Sequence, residues 1–220
     1  MSFSFRIKVC GITSEEVARA AVGAGADYLG LVFCASARRV TFERASLLVA
    51  GVPAFWVGVF ADAPLEEVTR AARELGLAAV QLHGRESPEL CRTVREGTGV
   101  PVWKAIPADL LGTEEVYEAA VDALLLDVGP GGTGRTLDWG MVGARFPRVR
   151  RVVPLLLAGG LGPRNVARAI HEARPDGVDA SSRLELTPGV KDPGLVSAFV
   201  RRARAAANAA SESGRAGAAP

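Results

Sequence analysis

Short apolar runs alternate with segments whose apolar and charged positions recur at helical spacing, from one end of the chain to the other. The apolar runs are FRIKVCGI (5–12), DYLGLVF (27–33), FWVGVF (55–60), AAVQLH (78–83), VPVWKAI (100–106), VDALLLD (121–127), VVPLLLAGG (152–160) and DGVDASS (176–182). Most are aliphatic or β-branched and bounded by Gly, Pro, Asp or Ser. They predict parallel strands, which read as nearly continuous apolar stretches because helices cover the sheet.

The intervening segments predict amphipathic helices: 14–25, 64–76, 87–97, 113–120, 163–173 and 193–210, with weaker versions at 41–50 and 138–146. Ser14 stands at a capping position, with Glu15 and Glu16 in the first turn and Gly25 at the end. Pro64, Pro88 and Pro163 suit a first helical turn, where the missing N–H would have no partner. Eight strand–helix units in about 205 residues predict a compact α/β fold, a single-domain (β/α)8 TIM barrel over 1–208. Residues 209–220 would be a frayed tail. An open doubly wound sheet, usually of about five or six strands, is the alternative.

Composition mainly removes partners. The 220 residues are 49% hydrophobic and 23% charged, a globular balance that needs no disulfide or metal to hold a core. Twenty-six Lys and Arg against 24 Asp and Glu leave +2, too even for charge-driven nucleic-acid binding. Lys8, Lys104 and Lys191 are the only lysines; the clusters Arg148/Arg150/Arg151 and Arg201/Arg202/Arg204 read as solvated surface. The longest uncharged stretch, 45–61, is broken by Gly51 and Pro53 and predicts no membrane span. The opening residues lack a signal-peptide pattern, and three cysteines without a CxxC argue against a disulfide framework or a zinc site. The expectation is a cytoplasmic, reduced protein, a monomer, with neither metal nor cofactor.

In a barrel, chemistry sits at the C-terminal ends of the strands. Asp127 follows Ala-Leu-Leu-Leu, so a carboxylate at the rim of a dry interior would have a raised pKa suited to a general acid. A loop-capping or Arg-paired carboxylate is the plainer reading. Cys10 ends the first run, and Lys8, two residues earlier, points to the same face. A nearby cation makes a thiol a better base, although most free cysteines are buried packing. Cys91 falls mid-helix and reads as packing, and Cys34 as a loop residue.

Gly159-Gly160-Leu-Gly-Pro-Arg-Asn165 resembles a phosphate cradle: glycines let backbone N–H groups approach an anion, and the helix after it adds a positive end. With Ser181 and Ser182 on the next strand, it matches the phosphate site of the last two barrel loops. A tight turn would read the same. Of Arg38 and Arg39, one should face solvent while the other could meet a substrate carboxylate bidentately. His83 suits a ligand contact or a loop hydrogen bond. Together these groups imply proton transfer on a small phosphorylated molecule with a second anionic group.

Those positions carry a resemblance. Lys8-Val-Cys10-Gly-Ile-Thr13, Gly30-Leu-Val-Phe33, Gln81-Leu-His83-Gly84 and Leu125-Leu-Asp127 occur in the order and spacing of the phosphoribosylanthranilate isomerase family. So do Gly131-Gly-Thr-Gly134 with Asp138-Trp139, Leu157-Ala-Gly-Gly160, Val178-Asp179-Ala-Ser-Ser182 and Pro188-Gly-Val-Lys-Asp192. The resemblance spans residues 5–205 and implies an Amadori rearrangement of N-(5-phosphoribosyl)anthranilate without a cofactor. It makes Cys10 the general base, Asp127 the general acid and Arg39 the contact for the anthranilate carboxylate. His83, Asp179, Gly159, Gly160, Ser181, Ser182 and Arg183 complete the expected substrate site. Two departures stand out: Arg183 replaces a common glycine beside the phosphate, and Ala37 replaces a common serine. A related sugar-phosphate Amadori enzyme would use paired carboxylates on a substrate with two phosphates, and here the first position is Cys10. A barrel that only binds a phosphorylated ligand is the non-enzymatic alternative.

Overall fold

The computed structural model describes residues 4–107, 114–127, 139–147 and 152–216. Its strands are β1 (Arg6–Cys10), β2 (Tyr28–Val32), β3 (Trp56–Phe60), β4 (Ala79–Leu82), β5 (Val102–Pro107), β6 (Ala123–Asp127), β7 (Leu155–Leu157) and β8 (Gly177–Ala180). All pair in parallel with their sequence neighbours, and β8 returns to β1, closing a barrel. The helices are α1 (Glu15–Ala24), α2 (Phe42–Gly51), α3 (Leu65–Glu74), α4 (Pro88–Thr98), α5 (Glu114–Glu118), α6 (Trp139–Arg145), α7 (Val166–Ala173) and α8 (Pro193–Ala216). The expected (β/α)8 architecture is therefore present, and the open sheet is not.

Alternation along each strand builds two cores. Ile7, Val9, Leu29, Leu31, Trp56 and Phe60 point outward and are buried beneath the helices. Val57, Ala79, Trp103, Ala105, Ala123, Leu125, Leu156 and Ala158 fill the interior, and Tyr28 meets Trp103 edge-on at 4.9 Å. Both faces are apolar, so the strands show no amphipathic period. Local signals start and stop the helices: Ser14 Oγ accepts from Val17 N at 3.4 Å, and Gly25 ends α1 with φ 96°. Ser87 caps α4, with Pro88 as its first residue.

Two helix boundaries and one added element differ from the sequence expectation. Pro163 lies in a turn, and α7 begins at Val166, because Asn165 closes the preceding loop: its Oδ1 accepts from Gly162 N at 2.8 Å and its Nδ2 donates to Gly160 O at 2.9 Å. The last helix continues past residue 208 to Ala216, consistent with the high helix propensity of its alanines. After β8 the chain forms a 3-10 turn (Ser182–Leu184) and a small hairpin, β9 (Glu185–Thr187) with β10 (Val190–Lys191), that the strand count did not include. Gly131–Gly134, Asp138 and the Arg148–Arg151 cluster lie outside the described residues. Among the described residues, no helix is long and apolar enough to cross a membrane.

Candidate active site

The C-terminal mouth of the barrel collects the polar interior side chains. Cys10, at the end of β1, is 8% exposed and packs with Val32 and Val59 and against the half-buried Cys34. Gly30 makes room for it: a Cβ there would lie 2.8 Å from Cys10 Sγ. Across the mouth, Asp127 ends β6 with its side chain partly exposed, so it is less enclosed than its apolar run suggested. Its Oδ2 lies 3.2 Å from His83 Nε2. Gln81 Nε2 is 3.0 Å from His83 Nδ1, so with Nδ1 accepting, the proton on Nε2 faces Asp127. His83 is thus both exposed and bonded to Asp127.

Beside Cys10 lies a buried ion pair. Lys8 Nζ donates to Asp179 Oδ2 at 2.9 Å, between side chains 0% and 8% exposed. Strand register dictates this: Lys8 on β1 stands directly opposite Asp179 on β8. Asp179 Oδ1 and Gln81 Oε1 are buried without a hydrogen-bond partner among the described residues. Buried acceptors of that kind are costly unless something donates to them, which marks the interior rim as a place for a hydroxyl-bearing ligand. Burial pushes the Cys10 thiol above its usual range; the Lys8 ammonium opposes that and the Asp179 carboxylate adds to it.

Ser181 is used locally: its Oγ donates to Cys10 O at 3.0 Å. Ser182 and Arg183 are exposed on the turn after β8. Gly159 and Gly160 have φ of 83° and 63°, and the space where a Gly160 Cβ would point is open. Gly162 has no side chain to collide with Arg183, whose Cβ would lie 2.9 Å from a Cβ there. Arg183 is thereby accommodated with its side chain outward. The positive end of α7 begins three residues beyond Pro163, farther along than the cradle reading assumed.

The two adjacent arginines divide as neither simple reading anticipated. Arg38 is bidentate on Glu185, at 2.6 and 2.8 Å, and so is bound to the protein. Arg39 is exposed, makes no ion pair among the described residues, and borders a cleft with Cys34, Ala35, Phe60 and Ala61. Glu185 also accepts from Lys191 Nζ at 3.0 Å, and Lys191 donates to Ser181 O at 3.1 Å. Sequence reasoning gave no role to Gln81, Glu185 or Lys191 in this rim, although Gln81 and Lys191 fall in the matching motifs, and it left open which of Arg38 and Arg39 turns to the substrate. Cys91 is buried in α4, as packing predicts, and His171 lies exposed on α7. Among the described residues no three His, Cys, Asp or Glu side chains converge as metal ligands.

Fold and rim define the class: a (β/α)8 barrel with a thiol and a carboxylic acid on opposite sides of its mouth and small-residue turns after β7 and β8. A model of the family described as N-(5'-phosphoribosyl)anthranilate (PRA) isomerase matches residues 7–202. The N-(5'-phosphoribosyl)anthranilate isomerase of Rubrobacter xylanophilus is 46% identical over 209 residues, covering 90% of this chain and 98% of that protein. The phosphoribosyl anthranilate isomerase structure from Thermotoga maritima superposes with a TM-score of 0.81 at 37% identity, over 91% and 99% of the two chains. Another solved structure of such an isomerase, in complex with reduced 1-(o-carboxyphenylamino)-1-deoxyribulose 5-phosphate, has a TM-score of 0.76 at 37% identity, over 91% and 99%. The chain belongs to the PRA isomerase family.

Proposed function

We propose that this chain converts N-(5-phosphoribosyl)anthranilate to 1-(2-carboxyphenylamino)-1-deoxyribulose 5-phosphate, an aldose–ketose isomerisation of tryptophan biosynthesis, with Cys10 as base and Asp127 as acid. The observation that carries the residue roles is the placement of the two groups at the ends of β1 and β6, on either side of one mouth. Asp127 protonates the furanose ring oxygen, and the ring opens to a Schiff base. Cys10 then removes the proton from sugar C2, and the resulting enolamine tautomerises to the aminoketone. His83, with its Nε2–H toward Asp127, steadies the carboxylate left after that proton has gone. The unpartnered Asp179 Oδ1 accepts from a sugar hydroxyl. Arg39 takes the anthranilate carboxylate; Gly159, Gly160, Ser182 and Arg183 hold the phosphate, and Ser181 supports the loop from beneath.

This chemistry calls for no cofactor and no macromolecular partner. We propose a monomer, tested by sedimentation. The odd number of free thiols supports a reducing cytoplasm. The decisive test is loss of anthranilate fluorescence when purified protein meets freshly made phosphoribosylanthranilate. Wild type should consume it, while Cys10→Ala and Asp127→Asn should each lose about 10²–10⁴-fold in kcat. Wild-type inactivity would sink the reaction assignment, and an active variant would sink that residue's role.

A further inference from the structure

The chain uses arginine almost wherever it needs a cation, yet its three lysines are all buried: Lys8 at 0%, Lys104 at 2% and Lys191 at 4% exposure. A compact ammonium fits where the broad guanidinium fork does not. Two of the three converge on Cys10. Lys8 shares the interior face of β1 with Cys10, is held by Asp179 at 2.9 Å, and its positive charge acts on the thiol. Lys191, on β10, is held by Glu185 at 3.0 Å and by Ser181 O at 3.1 Å, and the Ser181 hydroxyl is bonded to the Cys10 carbonyl.

We infer that Lys8 and Lys191 form a two-ammonium seat for the Cys10 thiolate, and that Asp179 and Glu185 are positioning residues that fix where those charges sit. The inference rests on the assignment of Cys10 as the base. The groups facing Cys10 come from several elements: Lys8 on β1, Asp179 on β8, Lys191 on β10, and Arg38 from the loop after β2, whose charge is engaged by Glu185. Val32, Val59 and Cys34 supply the apolar side.

Taking a thiolate out of water is expensive, and an apolar wall offers nothing in return. Fixed ammonium groups offset that loss, and burial strengthens their effect. Burial works against the charge on Lys8 as well, but Asp179 and Cys10 more than restore it. For Lys191 burial wins despite Glu185. The base is thus a thiol whose ionisation depends on two lysines brought from opposite ends of the chain.

The test is the pH dependence of Cys10 alkylation by iodoacetamide, read on the Cys10 peptide by mass spectrometry. Lys191→Met leaves Glu185 paired with Arg38; Lys8→Met/Asp179→Asn removes the other cation without stranding a buried carboxylate. The alkylation midpoint should rise in both. At a pH below the wild-type midpoint, the rate should fall severalfold in Lys191→Met and about tenfold in the double variant. An unchanged midpoint in either folded variant, with melting curves to show folding, overturns the two-lysine seat. If the double variant does not fold, Lys191→Met decides alone. Because the readout is thiol chemistry, its result stands apart from turnover: an active Cys10→Ala protein would remove the base assignment and leave the titration unaffected.

Discussion

Two buried lysine–carboxylate pairs in this barrel look alike and do different things. Lys104 donates to Glu86 at 2.8 Å on the outside of the barrel wall; Lys8 donates to Asp179 at 2.9 Å on the inside. The outer pair is saturated. Glu86 also accepts from Asp62 N and Gly84 N, and Lys104 also donates to Gly84 O and lies over the Tyr117 ring. Among the described residues, the inner pair leaves Asp179 Oδ1 without a donor, and the Lys8 charge also acts on a thiol. Burial and pairing therefore do not by themselves mark a site; spare hydrogen-bonding capacity beside a reactive group does.

The sharpest way to break that contrast is to remove the outer cation. Lys104→Met strands the Glu86 carboxylate and should cost about 3–5 kcal/mol of stability in chemical denaturation. The pH at which Cys10 alkylates should stay at its wild-type value. A shifted Cys10 titration in folded Lys104→Met protein would show that the two pairs are not separable.

The converse variant acts on the inner side. Gly30→Ala places a methyl against Cys10 Sγ without any left-handed backbone to strain. It should lower kcat at least tenfold while costing about 1–3 kcal/mol of stability, the usual range for overpacking. Unchanged turnover would mean that the thiol position is not critical.

Cys91 provides the smallest effect and a control thiol, one for which burial outweighs the nearby Lys104 and Arg92 charges. Burial pushes it to about 11, from an ordinary 9.0. The unfolded chain therefore loses this proton first, and the stability that comes from burying the neutral thiol declines as pH rises from about 9 to 11. Cys91→Ala should flatten that alkaline decline when denaturation is compared at pH 8 and 10.5. An equally steep decline would assign it to other groups.

Much of this was legible in advance, for a physical reason. Strand and helix order, the capping by Ser14 and Ser87, and the shared face of Lys8 and Cys10 all follow from periods and caps a few residues long. The strands read plainly because both of their faces are apolar. Less visible were the start of α7, which a single Asn165 side chain delays, and the β9–β10 hairpin, whose strands are too short and exposed to form an apolar run. The turn between those strands contains Gly189 at φ 85°, pressed against the Ala37 carbonyl, so its demand for glycine comes from a neighbour far away in sequence.

The sequence alone determined the eight-unit alternation, the interior face of each strand, and the thiol and carboxyl groups that end β1 and β6. Tertiary structure decided their partners. Asp179 meets Lys8 across 171 residues because closure of the barrel sets β8 beside β1. Glu185 engages Arg38 across 147 residues and so leaves Arg39 to the cleft. His83 turns to Asp127 although their strands are not adjacent. Periodicity is written in neighbouring residues, whereas the charge environment of a thiol is set by whatever the closed barrel brings within a few ångströms of it.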